Sequence, residues 1–264
     1  MPKQRLDVAV VARGLTASRE LAQRLIMAGE VVVDGRVVDR PATAIAEGAE
    51  IVLKARPRFV SRGGDKLQAA LDAFRLDVQG ALCADIGAST GGFTDCLLQA
   101  GAARVYAVDV GHGILDQRLR NDPRVVVMEE TNARYVEALP EPVSLVTIDA
   151  SFISLKLLLP VARAWLARQT GGALPSETDV NRVRELPSVV ALIKPQFEAG
   201  EREVSKGRGV IRDPEVHARV VQDVLAFAES SGWQVSGQIR SPLTGPKGNV
   251  EFLAWLTERR QDVS

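Results

Sequence analysis

Five short apolar runs constrain this chain more than any other feature. ALCADIG (81–87), RVYAVDVG (104–111), RVVVMEE (124–130), VSLVTIDA (143–150) and SVVALIKPQF (188–197) are rich in β-branched residues and bounded by turns. Between several of them lie stretches with helical spacing, such as TDCLLQAG and LKLLLPVARAWLARQ. Strands that are apolar along their whole length are buried on both faces, and intervening helices supply the cover. The pattern therefore predicts an α/β fold with a parallel sheet. RDPEVHARVVQDVLAFAESSGW adds a helix, with Asp213 as cap, Pro214 in the first turn and Gly232 as stop. By contrast TGGALPSETDVNRVRELP, residues 170–187, is polar and irregular and predicts an exposed excursion.

The first fifty residues form a separate pattern. RLDVAVVARGL carries Leu6, Val10 and Val11 on one helical face and ends at Gly14. TASRELAQRLIMAGE opens with the capping residues Thr16 and Ser18, turns Leu21, Leu25 and Ile26 inward and stops at Gly29. In VVVDGRVV, Asp34-Gly35 joins two β-branched runs, as a type I′ hairpin requires. GAEIVLK supplies a further strand, and KARPRFVSRGG is a basic connector. Domains are expected at 1–54 and 61–264 with a linker at 55–60. Residues 1–66 hold 12 Lys and Arg against 8 Asp and Glu, while the remainder holds 21 against 25. That asymmetry points the N-terminal part towards a polyanion, although a few surplus arginines also suit a solvated surface.

DIGASTGG, residues 85–92, follows the first strand of the larger part, where ligands of doubly wound sheets bind. It is neither G-x-G-x-x-G nor a P-loop, since no Lys-Ser/Thr follows the glycines. Asp85 would repel a pyrophosphate and favour a cation or amine. Asp109 ends the next strand 22 residues beyond Gly87 and can accept hydrogen bonds from both hydroxyls of a ribose. An adenosine without phosphates, bearing an amino group and a sulfonium, meets both conditions; S-adenosylmethionine is that molecule. Unrelated α/β folds share the same loop and acid.

Lys66 begins a helix, Asp149 and Lys194 end strands, and Glu251 precedes FLAWLTE. Taken singly, each suits a solvated strand end or a helix cap. As a set they suit methyl transfer to a ribose hydroxyl, because a desolvated lysine beside a second cation can act as base while carboxylates orient the ammonium groups. His112, His217 and two scattered cysteines make no metal set, so no metal is expected. Cys83 and Cys96 suit buried thiols better than a disulfide. Lys206 and Arg208 in EVSKGRGVIRD suit phosphate contacts or a solvated loop.

FVSRGGDKL, DIGASTGGFTD, VYAVDVG, TNAR, DASFISL, LIKPQFEAG, VIRDP and SPLTGPKGNVEF, in this order and behind the N-terminal pattern, resemble the TlyA family. The resemblance implies a small α+β RNA-binding domain of the S4 type followed by a Rossmann-like, FtsJ-like S-adenosylmethionine-dependent RNA ribose 2′-O-methyltransferase. It implies a tetrad of Lys66, Asp149, Lys194 and Glu251, with Lys194 as base. Cofactor contacts would fall on Asp85, Gly87, Ser89, Gly91, Asp109 and Asn132, with Asp149 beside them. RNA contacts would fall on Ser18, Arg19, Gln23, Arg24, Lys54, Arg56, Arg58 and Arg62. The implied substrate is cytidine in ribosomal RNA or ribosomal subunits; the nucleotide, the subunit and the oligomeric state stay open.

Rival readings remain at this level. The family has also carried a haemolysin label, yet no stretch approaches a membrane span, and no strongly amphipathic basic helix is evident. Together with an N-terminus unlike a signal peptide, this predicts a cytoplasmic protein without a membrane partner. A non-catalytic RNA-binding protein would not need all four tetrad residues. A small-molecule methyltransferase would not need the basic N-terminal part.

Overall fold

In the computed structural model the described residues are 3–54, 57–167, 181–245 and 247–259, and the chain divides into two compact units, Met1–Pro57 and Arg58–Ser264. Arg56 and residues 168–180 lie outside the described set, as does the side chain of Lys206.

The first unit comprises β1 (Lys3–Arg5), α1 (Leu6–Ala12), α2 (Arg19–Met27), β2 (Val31–Val33), β3 (Arg36–Val37), β4 (Ala44–Ala46) and β5 (Ile51–Leu53). Ser18 caps α2, its hydroxyl accepting the Leu21 N–H. Asp34 and Gly35 take φ of 46° and 76° between β2 and β3, the hairpin their sequence demands. The Asp34 carboxylate then accepts the Glu50 N–H at 2.8 Å and ties the turn to the approach of β5. Leu6, Val10, Ala22 and Ile26 form the centre of the small core.

The second unit runs α3 (Gly63–Ala73), β6 (Leu76–Asp77), β7 (Leu82–Ile86), α4 (Gly92–Gln99), β8 (Arg104–Val108), α5 (Gln117–Arg120), β9 (Val125–Met128) and β10 (Leu145–Ile148). It continues through α6 (Leu155–Trp165), β11 (Asn181–Arg182), β12 (Ser188–Ile193), α7 (Pro195–Glu198), α8 (Glu201–Lys206), α9 (Pro214–Ser230), β13 (Trp233–Arg240) and β14 (Phe252–Glu258). Seven strands form one sheet in the order β13-β14-β12-β10-β7-β8-β9. Alternate residues feed two cores. Cys83, Val190, Leu192, Leu253 and Trp255 pack with Leu67 and Leu71 of α3 and Leu97 of α4. Ala84, Val189, Ile193, Ala254 and Leu256 pack on the other face with Leu158 and Trp165 of α6 and Val221 of α9.

Two expectations need correction. The sheet is mixed rather than parallel, because β14 runs antiparallel to both β12 and β13. Its neighbour β13 alternates polar and apolar residues and carries a bulge between Val235 and Gly237, so it lacks the uniform apolar character of the five runs. The excursion is also not wholly exposed. Asn181 donates to the Phe74 carbonyl at 2.8 Å, β11 pairs with β6, and Val183 and Leu186 enter the α3-side core. No helix among the described residues is long and apolar enough to cross a membrane.

Leu186→Ala should therefore cost about 2–5 kcal/mol, as truncation in a packed core does. Urea unfolding measures it; a loss of under about 0.5 kcal/mol would mark Leu186 as an ordinary surface residue.

Candidate active site

Strand polarity collects the polar residues. Asp149 and Lys194 each stand one residue past the end of a parallel strand, β10 and β12. Glu251 stands one residue before β14, and only the antiparallel run of β14, with Ile193 opposite Phe252, brings it to the same edge. Lys66 reaches that edge from the first turns of α3. The four side chains line one cleft of about 280 Å³.

They are paired within it. Lys66 Nζ lies 2.5 Å from Glu251 Oε2, both nearly buried. Lys194 Nζ lies 2.6 Å from Asp149 Oδ1 and donates to Ser151 Oγ at 3.0 Å and to the Asp149 carbonyl at 3.4 Å. Gly245 leaves room for the first pair, since a Cβ there would stand 2.6 Å from Glu251 Oε1. Arg62 lines the same cleft.

A second concavity of about 650 Å³ adjoins the first and shares Gly87, Ser89, Asp149 and Ser151 with it. Asp109 and Asn132 line it together with Val108, Val110, Ile114 and Leu157. Asp109 Oδ2 accepts the Ser89 N–H at 2.8 Å and Oδ1 the Gly111 N–H at 2.7 Å, which leaves each oxygen further acceptor capacity. Asn132 caps the 3-10 turn Ala133–Tyr135 through the Arg134 N–H. Gly87, at φ 84°, cannot be replaced, because a Cβ would stand 2.7 Å from the Asp149 carbonyl oxygen.

Two expected cofactor contacts do not line the clefts. Asp85 is fully buried behind the loop, its carboxylate accepting from Thr94 at 2.7 Å and Thr147 at 3.0 Å. It sits inside β7 with its side chain towards the core, whereas only residues past the strand end reach the edge. Gly91 caps α4 at φ 95° and packs against Leu119, which a Cβ would meet at 2.2 Å; Gly92 lines the cleft instead. Unforeseen in the sequence were Ser151, which holds Lys194, and Glu129. The Glu129 carboxylate accepts from the N–H groups of Gly113, Ile114 and Leu115 at 2.9–3.2 Å and pairs with Arg120, pinning the wall that carries Ile114. The Arg120 contact and these N–H groups pull its pKa down to about 2. Its signal was the acidic end of RVVVMEE.

In the first unit Arg19 and Gln23 both donate to the buried Asp7 carboxylate, at 3.0 and 2.9 Å, beside Arg5 at 3.0 Å. Arg24 and Lys54 are exposed. Arg58, in the second unit, lies over the Phe59 ring at 4.8 Å. Ser18 is engaged as a cap. Among the described residues no group of three or more His, Cys, Asp or Glu side chains is placed to hold a metal ion, and both cysteines are free and buried.

The profile of FtsJ-like methyltransferases matches residues 59–258, and that of the S4 domain matches residues 4–51. The 16S/23S rRNA (cytidine-2′-O)-methyltransferase TlyA of Mycobacterium tuberculosis is 45% identical over 258 residues, 96% of this chain and 90% of that protein. The chain belongs to the TlyA family of FtsJ-like methyltransferases. Hemolysin A of Brachyspira hyodysenteriae is 40% identical over 95% of this chain and 98% of its own. A solved structure from Streptococcus thermophilus that carries a hemolysin name is 44% identical, with a TM-score of 0.70 over 100% of this chain and 92% of its own. An S-adenosylmethionine-dependent methyltransferase from Mesorhizobium loti, 14% identical, shares the fold at a TM-score of 0.50 over 72% of this chain and 96% of its own. The TlyA-family fold read from the motifs, an S4 domain ahead of a Rossmann-like methyltransferase domain, is thus borne out.

Burial pushes the Asp85 carboxyl up to about 7 from its ordinary 3.8, against the pull of the two threonines. A carboxyl raised in the folded state contributes fully below pH 3.8 and loses its contribution as pH rises towards 7. Asp85→Asn removes that titration. The variant should gain in urea midpoint relative to the parent between pH 5 and pH 8, and a constant difference would show that Asp85 does not titrate there.

Proposed function

We propose that this protein transfers a methyl group from S-adenosylmethionine to the 2′-oxygen of a cytidine ribose in ribosomal RNA. The supporting observation is the two ion pairs, the buried Lys66–Glu251 and the largely buried Lys194–Asp149, lining a cleft that shares Gly87, Ser89 and Asp149 with the neighbouring concavity. The M. tuberculosis relative is named for the same reaction.

The larger concavity suits S-adenosylmethionine. Asp109 keeps acceptor positions for two ribose hydroxyls, Val108, Val110, Ile114 and Leu157 offer an apolar slot for adenine, and Gly87 of the loop lets backbone approach closely. Bound there, the cofactor supplies an electrophilic methyl group. The chain's own residues do the rest. Lys194, once its ammonium has released a proton to solvent, receives the proton of the 2′-hydroxyl, whose oxygen takes the place of the weak 3.4 Å contact to the Asp149 carbonyl. Asp149 and Ser151 hold Lys194 Nζ in place, so the hydroxyl oxygen meets a fixed partner. Lys66, fixed by Glu251, adds a second cation to the same cleft. Alignment supplies most of the rate.

Ser18, Arg19, Gln23, Arg24 and Lys54 of the S4 domain, Arg56 and Arg58 of the connector, and Arg62 after it, would meet the RNA backbone. Asp7 orients Arg19 and leaves part of its guanidinium exposed. A cytoplasmic workplace follows from a ribosomal substrate.

The test is methyl-labelled cofactor with unmodified ribosomal subunits, followed by alkaline hydrolysis. Label in an alkali-resistant dinucleotide is expected; label in mononucleotides would mean base methylation, and no label would favour RNA binding without catalysis. Lys194→Ala should lower the single-turnover rate by about 10²–10⁴ and retain cofactor affinity. Full activity would remove Lys194 as base.

A further inference from the structure

The loop that carries Glu251 has an outer side that the proposed reaction does not use. Leu243 and Thr244 of that loop line the catalytic cleft. Beyond them, Arg208, Arg212, Arg240 and Lys247 are exposed, and no ion pair or hydrogen bond to their side chains is found among the described residues. Their setting is a domain in which residues 67–264 hold 21 basic against 25 acidic side chains, so four unpaired cations on two loops and the adjoining end of β13 run against the background.

The two loops that carry Arg208, Arg212 and Lys247 are held together by buried groups, and Arg240 ends β13 just before the second. Asn249, 3% exposed, accepts the Ile211 N–H through Oδ1 and donates to the Gly209 carbonyl through Nδ2, each at 3.0 Å. His217 Nε2 meets the Ile211 carbonyl at 3.0 Å, and the Gly245 N–H returns to the Asn249 carbonyl at 2.8 Å. Loop 207–212 and loop 241–249 are therefore one stitched surface. Lys247 Nζ lies over Gly209, 3.9 Å from where a Cβ would stand. Arg212 and Arg240 enclose a concavity of about 440 Å³ together with Gln222 and Gln238, and no acidic side chain lines it. The nearest acid in sequence, Asp213, is committed to capping α9 through the Glu215 N–H.

We infer that this face binds the phosphodiester backbone of the RNA next to the nucleotide whose ribose enters the cleft. Guanidinium groups and glutamine amides are the donors that phosphate oxygens accept from. Loop 241–249 joins the two places, with Leu243 and Thr244 in the cleft and Arg240 and Phe252 at the concavity, so the phosphates would belong to nucleotides flanking the reacting one. The face thus works as a rail that sets register, separate from the S4 domain. The inference rests on the proposed RNA methylation and assigns a substrate-binding surface to it.

The experiment compares the full chain with a quadruple variant, Arg208→Ala, Arg212→Ala, Arg240→Ala and Lys247→Ala, all at exposed positions. Arg118→Ala, an exposed arginine paired with Asp116, is the control. Binding to unmodified ribosomal RNA is measured across a salt series, with cofactor affinity and the KM for RNA alongside. Each lost phosphate contact lowers the slope of log K against log salt by about 0.7–0.9, so the quadruple variant should lose about 3. Its KM for RNA should rise at least tenfold with cofactor affinity retained, and the control should keep the full slope. An unchanged slope and KM in the variant, with the parent protein active, overturns the inference and leaves the proposed function standing. A parent protein that binds RNA but transfers no methyl group overturns the proposed function instead, and the rail as part of it. Weakened binding to intact subunits with an unchanged slope on naked RNA would assign the face to an acidic ribosomal protein, and would equally overturn it.

Discussion

The antiparallel pairing of β14 with β12 is the contact on which the site depends. Six residue pairs, from Ser188 opposite Thr257 to Ile193 opposite Phe252, fix both direction and register. Direction matters because Glu251 precedes its strand, and in a parallel sheet it would stand at the edge away from Lys194. Register matters because a slip of one residue exchanges the faces of a strand. Leu253 and Trp255 belong to the core beneath α3, while Ala254 and Leu256 belong to the other. A slip would drive the Trp255 indole into the space of an alanine, so core packing enforces the position of Glu251.

The same alternation explains why the four polar residues meet. Asp149 continues the phase of Leu145, Lys194 that of Leu192, and Glu251 that of Leu253, and all three leucines face the α3-side core. Each polar residue stands one step beyond its strand, where that core opens to the cleft, and Lys66 projects from the helix covering it. Asp85 shares the phase of Cys83 but lies inside β7, so it stays under α4 with Thr94 and Thr147 as partners. One residue of position along a strand separates a cleft-lining carboxylate from a buried one.

That step also marks how far the sequence could be read. The five apolar runs, the capped α9 and the Asp34-Gly35 hairpin were legible because each rests on local chemistry: β-branched burial, a cap with proline, a positive φ. The tetrad was legible from its motifs, as residues at ends of elements. The reversed β14 was not, because strand direction depends on which neighbour buries which face, and FLAWLTE reads alike in both directions. Val183 and Leu186 were hidden by the polar residues around them, although two apolar side chains suffice to anchor a short segment to a core edge. Ser151 and Glu129 act through contacts remote in sequence, with Lys194 and with the N–H groups of Gly113 to Leu115.

The buried ion pairs bear on why such a site persists. Taking a lysine and a carboxylate out of water costs several kcal/mol per ion, and pairing roughly offsets it, so Lys66–Glu251 and Lys194–Asp149 add little to stability. Apolar residues of similar volume would serve the fold as well or better. What apolar residues cannot do is hold two lysine side chains at fixed points along one cleft. Backbone without a side chain also lies close to each pair: Gly245 against the Glu251 carboxylate, and Gly87 against the main chain of Asp149. A fold that needed only stability would have no use for either arrangement. The glycines and the ion pairs therefore form one unit, in which close backbone approach positions the carboxylates and the carboxylates position the lysines.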